Sequence, residues 1–385
     1  MTRHGLPKAA ANDLLGRFRE VISDPINLLI ERVPMAGFIE DDQVYLHNGL
    51  RVPVAGAGAY YGSFSQLLVL NHGVHEPLEE FVFQEVLKRL PEASSMIELG
   101  AHWGHYSMWF LKERPKGHVT LVEPDLNCLK AGENNFARNG FKGEFIRAVV
   151  GKGQFEIDDF FRSRKIRQLD VLHTDIQGFE IEMLEGARSV LEQRRVHYLF
   201  ISTHSQAIHG EVIDRLGNAG YRVEVSSDFD VETTSYDGFV FASSPEVETV
   251  FGDIIVLGRE EIARRRPADL LKSLDRLLNA TGIGLSEPCQ QAVDSEVRPD
   301  VEHGHVQGPP QRQVQDVIQQ KLQQALAFHQ TYRSGLHCDA RALSGWFGAR
   351  PHCCTKYEEC DRAVVSAQRK LVFGTSQEPE RESRF

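Results

Sequence analysis

Three acids in this chain each close an apolar run and stand beside a glycine or proline turn, where a parallel strand presents side chains to a ligand. Met96-Ile-Glu98-Leu-Gly100-Ala-His102-Trp-Gly104 ends an apolar run in an acid and two glycines four apart. Glycines let a backbone approach a ligand, and a helix beginning near the second one offers unpaired N–H groups. A pyrophosphate is seated by G-x-G-x-x-G, whereas this turn is G-x-x-x-G with an acid two residues ahead, which suits a cationic amine. The next run, His118 to Val122, ends in Glu123-Pro124, and a carboxylate at that tip can accept both hydroxyls of a ribose. Leu169 to Thr174 then leads into Asp175-Ile-Gln-Gly178, with Glu180 opening a helix. Asp175 can take a substrate proton or hold a divalent cation; alternatively it caps the helix whose dipole Glu180 favours. Tyr198 to Ser202 leads to His204. Adjacent strand tips lie about 5 Å apart, so His204 and Asp175 can share a proton or a cation.

These residues need a scaffold that brings strand tips together. From residue 96 to about 245 short apolar runs alternate with helical patterns, the signature of repeated βαβ units. Strands are expected at Met96 to Leu99, His118 to Val122, Glu144 to Val150, Leu169 to Thr174, Tyr198 to Ser202, Arg222 to Val225 and Phe239 to Ala242. Helices are expected at Tyr106 to Lys112, Leu126 to Asn139, Phe179 to Gln193 and Gly210 to Ala219. The fold class is therefore α/β, a doubly wound and mostly parallel sheet whose ligand sits at the carboxyl ends of the strands. Ahead of it, Leu14, Leu15, Phe18, Val21 and Ile22 mark an N-terminal packing helix, and Asn48-Gly49 turns a hairpin between Val44 to Leu46 and Leu50 to Val54. An apolar helix face runs from Leu78 to Leu90. His173, inside a strand, reads as buried and hydrogen-bonded, and His209 as a structural histidine.

A nucleoside whose other end is an amino acid, as the first two acids require, describes S-adenosylmethionine. Residues about 43 to 245 resemble the FkbM-type family of S-adenosylmethionine-dependent methyltransferases. The resemblance lies in Tyr45-Leu-His-Asn48-Gly49, Gly73-Val-His-Glu76-Pro77, Glu98-Leu-Gly100-Ala-His102-Trp-Gly104, Val122-Glu123-Pro124, and His173-Thr-Asp175-Ile-Gln177-Gly178-Phe-Glu180 through Gly186-Ala187. Glu98 stands where the family usually has Asp, and His102 where it has Asn. The resemblance implies a Rossmann-like class I methyltransferase fold, with Glu98, Gly100, His102, Gly104, Glu123 and Val149 at the cofactor. Asp175 and His204 are then the catalytic pair, working without a metal or with a Mg²⁺ held by Asp175. It further implies O-methylation of a hydroxyl on a small-molecule or glycan acceptor: a sugar, glycan or secondary metabolite. Only 18 residues separate Val150 from Leu169, which predicts a trimmed lid on the substrate side.

Composition narrows the alternatives. Forty-three lysines and arginines against 54 aspartates and glutamates give a formal charge of −11, which disfavours nucleic acid and anionic membrane surfaces as partners. No apolar stretch reaches the roughly 18 to 20 residues of a membrane span and no signal-peptide run opens the chain, so a cytoplasmic location is expected. The domains read as 1–42 (helical segment), 43–258 (methyltransferase-like) and 259–385 (a helical, low-complexity, Gln-rich and partly disordered tail, with a helix expected at Leu270 to Leu278). Five of six cysteines lie in the last quarter without regular zinc spacing. The competing reading is a non-catalytic module with this fold that binds a partner through its tail. The oligomeric state is not encoded in any feature of the sequence.

Overall fold

The computed structural model describes residues 13–56, 58–60, 65–252 and 256–280. The tail beyond, including the Gln-rich stretch, its cysteines and the expected partner-binding segment, lies outside the described residues. Helix α1 (Leu14–Ser23) is capped by the Asp13 carboxylate, which accepts the Gly16 N–H, and a 3-10 turn Pro25–Leu28 follows. Strands β1 (Ile39–Glu40), β2 (Gln43–Tyr45) and β3 (Arg51–Pro53) form a small antiparallel sheet in which Asn48-Gly49 makes the expected turn. Helices α2 (Ser65–Leu70) and α3 (Pro77–Leu87) lead into the main sheet.

That sheet is built from β4 (Ser95–Leu99), α4 (His105–Glu113), β5 (His118–Val122), α5 (Leu126–Asn139), β6 (Glu144–Ile146) and α6 (Ile157–Arg164). The chain continues through β7 (Leu169–Thr174), α7 (Glu180–Gly186), α8 (Arg188–Glu192), β8 (Val196–Thr203), α9 (Gln206–Asn218), β9 (Arg222–Ser227) and β10 (Gly238–Ser243). The order across the sheet is β6-β5-β4-β7-β8-β10-β9. All pairings are parallel except those of β10, which runs antiparallel to both β8 and β9. This is the doubly wound, Rossmann-like class I methyltransferase architecture that the resemblance implies.

Period-two alternation of apolar residues covers both faces of the sheet. Met96, Val119, Leu121, Val171, Tyr198, Phe200, Phe239 and Phe241 pack one way, under α3 and α4. Ile97, Leu99, Val122, Leu169, Leu172, Leu199, Ile201, Val240 and Ala242 pack the other way, under α6 to α9. The chain order reverses between β4 and β7, so their carboxyl ends open a crevice at the switch point.

The 150–169 segment holds the crossover helix α6, whose Ile157 and Phe161 are buried in the second core. Two expectations are corrected. The helix expected over Phe179 to Gln193 is two, broken at Ala187, whose φ of −109° leaves the helical region. The strand expected to reach Val150 ends at Ile146, with only an isolated bridge from Val150 to Phe155 beyond it. Residues 259–280 form α10 (Arg259–Arg264) and α11 (Pro267–Ala280), the second containing the helix expected at Leu270 to Leu278; Leu274 is buried and α11 meets the Pro25–Leu28 turn. No described helix is long and apolar enough to cross a membrane.

Gly100 shows how tightly the two strand tips meet. Its φ is +76°, and a Cβ there would lie 1.7 Å from the Asp175 carbonyl oxygen. The backbone approach therefore serves the neighbouring turn, whose Asp175 N–H donates to the Leu99 carbonyl at 2.9 Å. Gly100→Ala should cost more than about 3 kcal/mol, through left-handed strain plus a backbone clash. Chemical denaturation checks this, and a midpoint equal to that of the parent protein would refute it.

Candidate active site

A cleft of about 340 Å³ opens at the switch point, within the size range of small-ligand sites. Glu98, Gly100, His102 and Asp175 line it, together with the aromatic rings of Tyr60, Trp103, Tyr106 and Tyr236. The expected cofactor residues divide into two sets. Glu98, at the penultimate position of β4, is buried and accepts the Ser107 N–H of α4 at 3.1 Å; burial lifts its pKa above the ordinary value. His102 sits on the bend at φ +42°, and burial holds its pKa below the usual imidazole range.

The second set is not part of the cleft lining. Glu123 follows β5, and its two oxygens accept the backbone N–H groups of His102 (3.0 Å) and Asp125 (2.9 Å). It clamps the 100–104 bend to the next strand tip, and burial raises its pKa. Gly104 caps α4 in a left-handed conformation, with a would-be Cβ 3.0 Å from the Phe136 ring. Val149 is exposed, and its carbonyl accepts the Phe155 N–H. Neither glycine 104, valine 149 nor Glu123 is among the residues lining the cleft.

Around His204 the structure assembles more than the sequence indicates. His204 follows β8, Asp175 follows β7, and Asp237 immediately precedes β10, whose Gly238 pairs with Thr203. The antiparallel register therefore sets Asp237 beside His204. His204 Nδ1 meets Glu180 Oε1 at 2.7 Å, while Nε2 lies 3.2 Å from Asp175 Oδ1 and 3.5 Å from Asp237 Oδ1. Burial disfavours the imidazolium, but the carboxylates of Asp175, Glu180 and Asp237 overcome it and hold the pKa at about 10. Burial likewise opposes the Asp175 carboxylate, yet His204 and the Gln177 amide at 2.9 Å keep it below the ordinary range. At neutral pH His204 is thus a cation. His204 is not a ready base in this form; the proton acceptor beside it is Asp175.

A second polar network lies beneath the aromatic wall. Fully buried Glu80 of α3 meets His75 Nδ1 at 2.5 Å and His47 Nε2 at 2.9 Å, and accepts the His75 and Glu76 N–H groups. Glu79, next to it, holds His173 Nε2 at 2.6 Å and the Ser202 hydroxyl at 3.0 Å, and burial pushes its own pKa up to about 7. His173 is buried as its place within a strand predicts, and His209 bonds Thr203 and Ser226.

Sequence reasoning missed Arg17, His75 and Asp237, all of which line the cleft. Arg17 comes from the helix read above as packing alone; its guanidinium lies 3.7 Å from the centre of the Tyr236 ring. A detectable signal was the pair Glu79-Glu80 inside an otherwise apolar helix, since buried acids demand partners.

The Methyltransferase FkbM domain family matches residues 131–223, a stretch that runs from α5 into β9 and contains Asp175, Glu180 and His204. No curated protein matches the chain. Similar solved structures include a precorrin-6y C5,15-methyltransferase from Geobacter metallireducens, 17% identical over 43% of this chain and 88% of that one, with a TM-score of 0.33. An S-adenosylmethionine-dependent methyltransferase from Aquifex aeolicus is 18% identical over 43% of this chain and 90% of its own, with a TM-score of 0.30. A ribosomal protein L11 methylase from Lactobacillus delbrueckii subsp. bulgaricus is 12% identical over 53% and 91%, with a TM-score of 0.35.

Proposed function

We propose that this protein, with its FkbM methyltransferase domain match at residues 131–223, transfers the methyl group of S-adenosylmethionine to a hydroxyl of a sugar, glycan or secondary metabolite. The observation that carries the reading is the convergence of Glu98 and Asp175 on one cleft at the switch point, beside the 100–104 bend. S-adenosylmethionine is cationic at its sulfonium and its ammonium, and the cleft supplies acids for both charges. Glu98 and Asp175 are joined there by Glu76 and Asp237. The aromatic rings of Tyr60, Trp103 and Tyr236 offer flat surfaces for a sugar or an adenine.

A sulfonium methyl is already activated, so the protein chiefly aligns an acceptor oxygen behind it. Such alignment accounts for about 7 to 11 kcal/mol in well-oriented cases. The hydroxyl proton leaves toward Asp175, the ionised carboxylate facing the cleft. His204 stands beside Asp175, fixed by Glu180 from behind. That base contributes about 10² to 10⁴-fold.

Equilibrium dialysis with labelled S-adenosylmethionine tests the reading. Binding is expected at micromolar concentrations, with the label passing to a hydroxyl-bearing acceptor. Glu123→Ala releases the His102 and Asp125 N–H groups and lets the bend move, so affinity should fall by about 10 to 100-fold, the value of one or two charge-assisted hydrogen bonds. Unchanged affinity in that variant would remove the cofactor assignment.

A further inference from the structure

We propose that Asp175 Oδ1, His204 Nε2 and Asp237 Oδ1 form a binding site for one divalent cation of the Mn²⁺ class, with Glu180 orienting the histidine from behind. The site deepens the acceptor-activating role given to Asp175 above and, as a mechanism, rests on that reading; cation binding itself does not.

The three ligand atoms lie within 4.8 Å of one another. Donor atoms about 2.1 Å from an octahedral ion stand about 3 Å apart along each edge. The 3.2 Å and 3.5 Å from Nε2 to the two carboxylate oxygens approach that edge length. Buried Nε2 makes no well-directed hydrogen bond to either oxygen. Its other nitrogen is held at 2.7 Å by Glu180, which is fully buried. A ligating histidine whose second N–H is given to a carboxylate is the usual outer-sphere arrangement of a metal centre, because it fixes the tautomer and turns Nε2 toward the ion. Asp175 and Asp237 also line the cleft, so an ion bound there keeps open positions toward the acceptor.

The donor set selects the ion. One imidazole and two carboxylates lie between the all-oxygen sites preferred by Mg²⁺ and the nitrogen-rich sites preferred by Zn²⁺ or Cu²⁺. The other His/Glu cluster, His75, Glu80 and His105, is a poorer site. Glu80 there is already committed to two imidazoles and two backbone N–H groups, and all three residues are buried.

His204 faces Asp175 from the β7–α7 turn, Glu180 from α7 and Asp237 from the lead into β10. An ion is held by the unprotonated Nε2, so a proton there leaves to solvent as the ion enters.

Titration of the full chain with Mn²⁺ alone, followed by electron paramagnetic resonance of the free ion, tests the site. One ion per chain is expected. Asp237→Asn and Glu180→Gln should each weaken binding by about 10 to 100-fold. The stoichiometry of the parent chain needs no variant, so it decides the matter even if one substitution fails to fold. Absence of a stoichiometric site, or equal affinity in folded Asp237→Asn, would overturn the proposal. S-adenosylhomocysteine binding, measured in parallel in chelator, separates the two readings: cofactor binding without Mn²⁺ binding leaves the methyltransferase reading intact and removes only the metal.

Discussion

Glu80→Ala should lower the stability of this protein by about 3 to 5 kcal/mol, the range found when one partner of a buried ion pair is removed. For a domain of this size each kcal/mol is worth about 2 to 4 °C in the thermal midpoint. The cause is concrete. Glu80 has no exposed surface, and its carboxylate is shared among the His75 ring, the His47 ring and two backbone N–H groups. Truncation strands all four donors under the Trp103 and Trp109 rings, where water cannot replace the carboxylate. The pH dependence supplies a second signature. Burial lifts the Glu80 pKa, but the His75 and His47 rings against its carboxylate outweigh it and hold it well below the ordinary carboxylate value. That contribution is present above the ordinary carboxylate range and is lost as pH falls through the depressed value. Burial works against the His75 cation as well, yet Glu80 and Glu76 hold its pKa up at about 10. Its contribution is complete below 6.5 and is lost as pH rises toward 10. Denaturant melts of the parent should therefore weaken between pH 6.5 and about 10, and in Glu80→Ala this slope should flatten. A variant that melts with the parent and keeps its slope would show that the network carries no stability.

The acids at the strand tips were legible because each sits on a local pattern. Glu98, Glu123 and Asp175 end apolar runs of strand period, and the structure starts turns at or just after each one. Sequence placed them near one crevice but did not resolve their depth. Glu123 serves the bend as a clamp, because both of its oxygens are taken by backbone N–H groups. Asp237 was invisible for a different reason. It lies in a short polar run, Thr233-Thr-Ser-Tyr-Asp237-Gly, and acquires its place only through the antiparallel pairing of β10 with β8. Nothing local encodes a long-range register. Arg17 was missed likewise: α1 shows an apolar stripe that explains its packing, and the cleft-facing side of the same helix carries no pattern of its own. Helix α6 escaped because its apolar residues, Ile157, Phe160 and Phe161, are few and set among charges.

The missed Asp237 changes what the expected pair, Asp175 and His204, can do, and so shapes the largest catalytic effect anticipated. Asp175→Asn should reduce methyl transfer by about 10² to 10⁴-fold in kcat, the usual contribution of a positioned base, while S-adenosylhomocysteine affinity changes by much less. The amide keeps the shape of the side chain and its place beside Gln177 but cannot accept the acceptor's proton. It also leaves His204 facing two carboxylates rather than three, so the imidazolium persists and cannot stand in as the base. That distinction appears in the pH profile. A free histidine base would lose about tenfold in rate per unit below its usual value of about 6.5. Here His204 is already protonated there, held at about 10, and Asp175 is already ionised below the ordinary carboxylate range. With divalent cations chelated, the residual rate of the parent should therefore run level through the region of an ordinary histidine. A step near that value would assign the base to a neutral His204 and contradict the carboxylate cage around it. A kcat for Asp175→Asn within a few-fold of the parent would move the proton acceptor elsewhere in the cleft, with Glu76 and Asp237 the acids left to take it.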